Sequence, residues 1–184
     1  MKKVLAPSPF IHRIDAEDRI IFVNEAWLAF AQQNDASHLT REAVLGQPLW
    51  CFIAGEETQH LYTLLLSQVR STGQRRWIPF RCDSPDRRRF MEMEIALCAP
   101  GEVQFTSWLL REEVRPPLPL FEAKQERSPT LLTLCSWCKK VKISPTEWIE
   151  VEEAIRRLDL FADPHPPRIT HGICPSCLAA FSTI

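Results

Sequence analysis

Two short stretches near the carboxyl end, LCSWCKK (Leu134–Lys140) and THGICPSC (Thr170–Cys177), each carry a C-x-x-C pair, with 35 residues between Cys138 and Cys174. One such turn offers a metal two soft thiolates, so two turns complete the four-sulfur tetrahedral shell that zinc or iron takes. Cys135, Cys138, Cys174 and Cys177 are therefore the candidate ligands. Four thiolates leave no open position for a water, which points to a structural zinc site, not a catalytic one. Lys139, Lys140 and Lys142 follow the first pair and would offset the excess negative charge. A dithiol redox centre is the other use of the same residues, but the strand and helix context for it is missing. His171 stands three residues before Cys174, and with four thiolates in place it reads as a hydrogen-bond donor to sulfur or as a core residue.

Such a site needs a small fold around it. KKVKISPTEWIEV reads as strand, turn and strand; EVEEAIRRLDLF reads as a helix with Val151, Ile155 and Leu158 inward; PPRITHGICPSCLAAF returns the chain to the metal. Pro175 suits the first turn of a last helix. The arrangement resembles a treble-clef zinc site. So short a region has too little core for comfortable stability alone, and metal binding would supply folding free energy. Upstream, RPPLPLFEAKQERSPT (Arg115–Thr130) passes from prolines to a polar run, which marks a linker. The chain thus divides into residues 10–114, a linker at 115–130 and a four-cysteine module at 131–184.

The first region opens with FIHRIDAEDRIIFVN, two β-prone runs around an acidic turn. NEAWLAFAQQN follows, with Trp27, Phe30 and Ala31 at helical spacing and Asn24 as its N-cap. GEETQHLYTLLLSQVRSTG predicts a long helix with Leu61, Leu64, Leu65 and Val69 on one face, Glu56 and Glu57 at its start and Gly73 at its end. Three extended segments, RRWIPFRCD, RRFMEMEIALC and EVQFTSWLLR, are joined by turn sequences and predict an antiparallel meander. Arg75, Arg76, Arg87, Arg88 and Arg89 would gather near one hairpin as a solvated rim.

This order of elements, and DAEDRIIFVNEAWLAFA in particular, resembles a PAS domain over roughly residues 10–113. The resemblance implies an α+β fold, a five-stranded antiparallel sheet with flanking helices, enclosing a small cavity. It also implies sensing or protein interaction, with Leu61, Leu65, Met91, Met93 and Trp108 lining the cavity, and makes a homodimer plausible. His60 invites a haem-ligand role opposite Met91 or Cys82, although a single helical histidine is more often a surface or core residue. The tail, CSWCKK then EWIEVEEAIRRL then THGICPSCL, resembles a cysteine-rich extension found on bacterial PAS, response-regulator and sensor-kinase proteins. That resemblance implies a bacterial signalling context and a metal at the four cysteines.

Charge excludes less than it permits: 22 Lys+Arg against 23 Asp+Glu give no global attraction to nucleic acid or to an anionic membrane. No segment approaches the roughly 20 apolar residues needed to span a bilayer. A cytoplasmic location is expected, and there seven cysteines point to metal or redox chemistry before disulfides. No Ser/His/Asp arrangement, phosphate loop or kinase motif is present, so no enzyme activity is expected. The expected function is a sensor or adaptor that binds a signalling partner, its last PAS strand moving the linker and the metal module. The alternatives are a thiol or metal redox switch, and a nucleic-acid-binding zinc module using Lys139, Lys140, Lys142, Trp137 and Trp148.

Overall fold

A computed structural model describes residues 8–122, 124–160 and 165–182. Strands β1 (Phe10–Ile14) and β2 (Ile20–Val23) pair antiparallel around a turn that Asp15 holds, its carboxylate accepting from the backbone N–H of Glu17 and Arg19 at 3.0 and 2.8 Å. Asn24 caps α1 (Glu25–Gln33) as expected: its side-chain oxygen accepts from Trp27 N at 2.9 Å. The same carboxamide accepts from Ile11 N and donates to Pro9 O, fixing the helix start against β1. A short α2 (Arg41–Val44) precedes the long α3 (Glu56–Thr72), which ends at Gly73 in the left-handed conformation, φ 68°.

Strands β3 (Arg76–Arg81), β4 (Arg87–Ala99) and β5 (Glu102–Val114) complete a five-stranded antiparallel sheet of order β2-β1-β5-β4-β3. This is the α+β architecture with flanking helices that the sequence leads one to expect. Helix α3 lies on one face, burying Leu61, Leu65, Leu66 and Val69 against Ile14, Ile78, Ile95, Val103 and Phe105. Leu64, placed on that face from sequence, is 41% exposed, and Leu66 takes the inward place. The apolar run at residues 64–66 permits either assignment, and packing on the sheet decides it. Antiparallel pairing also divides the arginines: Arg76 lies opposite Ile95, at the far end of the hairpin from Arg87, Arg88 and Arg89.

The remaining strands, β6 (Ser128–Cys135), β7 (Val141–Lys142), β8 (Trp148–Ile149) and β9 (Pro167–Gly172), form a second sheet of order β8-β7-β6-β9. Here β6 and β9 run parallel. The sheet, with α4 (Val151–Arg157), encloses Leu120, Leu132, Leu134, Val141, Val151 and Ala154. Leu158, expected inward, is 42% exposed because α4 stops one residue before it. Within the stretch read as a linker, Leu118 N donates to Pro85 O, Leu120 is fully buried, and β6 already begins at Ser128. Among the described residues no helix is long and apolar enough to cross a membrane.

Candidate metal centre

The first pair sits on a tight knuckle between β6 and β7. Cys135 N donates to Lys140 O at 2.8 Å, and Lys139 N to Cys135 O at 3.0 Å. The chain reverses through Lys139 at φ 61°, a conformation that favours glycine. That residue is further held by its buried ammonium, which donates to Ser136 O at 2.7 Å. Burial pushes the Lys139 pKa down, partly countered by Cys82, Asp83 and Cys135. The second pair follows β9 at the start of α5 (Pro175–Ser182), where the missing N–H of Pro175 costs no helical hydrogen bond. Cys174 N points at Cys135 Sγ (3.5 Å) and Cys177 N at Cys174 Sγ (3.4 Å), so backbone donors already face two of the ligand sulfurs.

All four Sγ atoms lie within 4.8 Å of one another, with Cys138 and Cys174 at 3.6 Å. A tetrahedral ion with metal–sulfur bonds of about 2.3 Å requires sulfurs about 3.8 Å apart, so the cluster can hold a metal ion and is compatible with zinc. The donor set would also suit a cation. With protons alone, hydrogen bonds from the Cys138 and Cys177 thiols hold Cys135 far below the usual thiol range. Interaction with Cys135 in turn pushes Cys138 up to about 12 and Cys177 above its ordinary value. A divalent ion held by Cys135, Cys138, Cys174 and Cys177 would remove this conflict by letting every sulfur be a thiolate.

The centre is built into the core of the five-stranded sheet and α3. Cys135, Trp137 and Cys174 belong to the same contiguous core as Leu61, Leu65, Ile78 and Phe105. Trp137, between the cysteines of the first pair, is 5% exposed, packs on Phe181 and accepts from Arg81 N at 2.6 Å through its carbonyl. Helix α3 supplies the facing surface: the Thr58 and Ser136 hydroxyls are 2.6 Å apart, and Tyr62, whose phenol burial raises to a pKa of about 12, reaches toward Trp137. A Cβ added to Gly55 would come within 2.9 Å of His171 Cβ, so β9 closes directly on the helix start.

A buried ion network forms a second joint. Asp83, with a fully buried side chain, pairs with both Arg81 and Arg115; Arg81 reaches Glu150 (2.7 Å) and Arg115 reaches Glu152 (2.9 Å) at the start of α4. Desolvation opposes the Arg81 charge, but bonding and attraction to Asp83 and then Glu150 hold its pKa above the ordinary value. Arg88 also pairs with Glu152, and Arg87 and Arg89 with Glu112. Of the arginines read from sequence as one rim, Arg87, Arg88 and Arg89 are thus held by carboxylates beside this joint, while Arg75 pairs with Glu94 at the other end of the hairpin.

The other site residues named from sequence fall as follows. Leu61 and Leu65 of α3 and Met93 of β4 are buried in one core between helix and sheet, whereas Met91, also buried, lies outside that core and lines a groove beside Trp137. Trp108 is on the opposite face: it pairs with Glu92 and stacks on Trp77 at 5.4 Å, since alternation from Val103 and Phe105 points residue 108 outward. His171 packs beside Gly55, and among the described residues no hydrogen bond joins its ring to a sulfur. Its pKa is lowered by burial and then by Lys139. Burial of Trp137 removes it from any base-stacking surface, while Lys142 lies over the Trp148 ring at 6.0 Å. His60 is exposed, whereas Met91 is buried, so the pair does not face a common site. Thr58, Tyr62, Arg81, Asp83 and Arg115 were not legible as site residues; only the polar threonine on the apolar face of α3 gave a signal.

No family model matches the chain, and no curated protein matches it. Among solved structures the chain is similar to the PAS domain of Bordetella pertussis BvgS, at 18% identity over 56% of this chain and 73% of that one, TM-score 0.38. It is also similar to the PAS domain of an HTR-like protein from Haloarcula marismortui, at 17% identity over 58% of this chain and 86% of that one, TM-score 0.34.

Proposed function

We propose that the chain is a non-catalytic signal-transduction sensor or adaptor of bacterial type. Its PAS-like domain takes a small ligand or a partner protein, and its four cysteines hold a structural zinc ion. The reading includes a homodimer through the PAS-like domain, a cytoplasmic setting and no nucleic-acid partner. The observation that carries it is the shared core: the knuckle residues Cys135 and Trp137 pack with Leu61 and Leu65 of α3. A change felt by α3 therefore reaches the metal knuckle through Thr58 and Tyr62, without passing along the chain through 115–130. Bound zinc would offset part of the charge of the four thiolates and fix the knuckle. Trp137 anchors it to the sheet domain, and Lys139 holds its turn. Hydrogen exchange on zinc-loaded and chelator-stripped protein tests the coupling. Lost protection in α3 and β3 as well as in the knuckle is expected; loss confined to residues 131–182 would overturn the proposal.

A further inference from the structure

The four sulfurs are not equally accessible. Cys135 and Cys174 are buried at 0% and 1% exposure, whereas Cys138 and Cys177, the second cysteine of each pair, are half-buried and open into one groove of about 440 Å³. Its walls come from both units: Phe80, Phe90 and Leu110 from the sheet, and Trp137 from the knuckle. The groove is mainly apolar, and the guanidiniums on its rim are engaged, Arg81 with Asp83 and Glu150, Arg88 with Glu113 and Glu152. It therefore offers an anion no unengaged charge, while it shields an apolar molecule from water at the point where two sulfurs are reachable.

We propose that Cys138 and Cys177 are a modification site for small, neutral, apolar electrophiles of the unsaturated-carbonyl class, which reach the metal centre through this groove. The inference rests on the four-cysteine metal reading above. In the step, the Sγ electron pair adds to the alkene carbon and forms a C–S bond. The C=C π pair moves onto the carbonyl as an enolate, which then takes a proton from water. The cysteine becomes a neutral thioether, which would no longer serve as a thiolate ligand to a metal held by the other three; no oxidant is consumed. Modification at either position leaves an incomplete shell and frees the knuckle that Trp137 ties to the sheet domain.

The test compares N-phenylmaleimide with a sulfonated maleimide of matched reactivity, each below one equivalent per chain, on the full chain with its metal content measured beforehand. The exposed Cys51 and Cys98 calibrate intrinsic reactivity within the same molecule. Peptide mapping by mass spectrometry reads the labelling of Cys138 and Cys177 relative to these two, and a chromogenic chelator reads released zinc. The ratio is expected to be about tenfold higher for N-phenylmaleimide, the factor that follows from shielding roughly half of a phenyl ring from water. Zinc release should track it, with Cys135 and Cys174 labelled only afterwards. Leu110→Glu, at a position 61% exposed and so tolerant of charge, should lower the ratio while leaving Cys51 and Cys98 unchanged. Equal ratios for the two reagents, first labelling at Cys135 or Cys174, or no labelling at Cys138 and Cys177 would each overturn the proposal. If the protein carries no metal, the metal reading fails, and the ratio is still decided on the free thiols.

Discussion

Asp83→Ala is expected to be among the most destabilising single changes outside the apolar core. Its side chain is fully buried between Arg81 and Arg115, which are 7% and 8% exposed, so removal leaves two guanidiniums in a low-dielectric joint, Arg115 keeping the Ser84 and Pro85 carbonyls, with only their outer carboxylate partners. Those partners are weak substitutes: Glu150 and Glu152 are 45% and 33% exposed, and solvent screens them. Breaking a buried pair by deleting one member typically costs about 3–5 kcal/mol, whereas deleting an exposed partner costs about 1 kcal/mol or less. For a chain of this size, with a urea m-value of about 2–3 kcal/mol/M, Asp83→Ala should lower the unfolding midpoint by about 1–2 M and Glu150→Ala by less than about 0.5 M. Urea titration followed by tryptophan fluorescence measures both, and the double variant gives their coupling. Equal, small shifts for the two single variants would refute the argument that burial decides the strength of this joint.

Three further outcomes follow. Gly55→Ala should destabilise more than Gly73→Ala, by about 1–3 kcal/mol against about 1, in the same titration. Both positions have positive φ, but only at residue 55 does a new Cβ meet a neighbour, His171 Cβ at 2.9 Å. His12 is stacked on Phe105 at 4.5 Å, and burial lowers its pKa from 6.5 to about 4. Because the folded state holds its proton less well than the unfolded one, the stability His12 contributes is complete above pH 6.5 and lost as pH falls toward 4. His12→Phe should flatten that decline in thermal melts taken across this range, and an unchanged slope would count against the assignment. Trp137→Ala should cost about 3–5 kcal/mol and loosen α3 as well as the knuckle, read by hydrogen exchange.

Much of the fold was legible because its signals are local. Asn24 before an apolar helix and Gly73 after one mark their ends through backbone hydrogen bonding alone, and the C-x-x-C spacing states its ligand chemistry within four residues. What was hidden depends on pairing between distant residues. The parallel match of β6 with β9 joins residues more than thirty positions apart, and nothing in SPTLLTLC announces its partner. The outward face of Trp108 follows from strand parity, whereas the resemblance places it in the cavity lining. Arg81, Asp83 and Arg115 gave no sign of their buried joint because sequence shows charge and not burial. Trp137 lies in a four-residue turn with no periodicity, so its place in the core shared with α3 became visible only in the folded chain.

The central claim is that the four cysteines hold one metal ion as part of a core shared by both units. Elemental analysis by mass spectrometry of the purified protein, beside a variant with Cys135 and Cys174 changed to serine, tests it most directly. One zinc ion per chain, lost in the variant, is the expected result. A protein that carries no metal after expression with zinc supplied, or that keeps its metal in the variant, would contradict it.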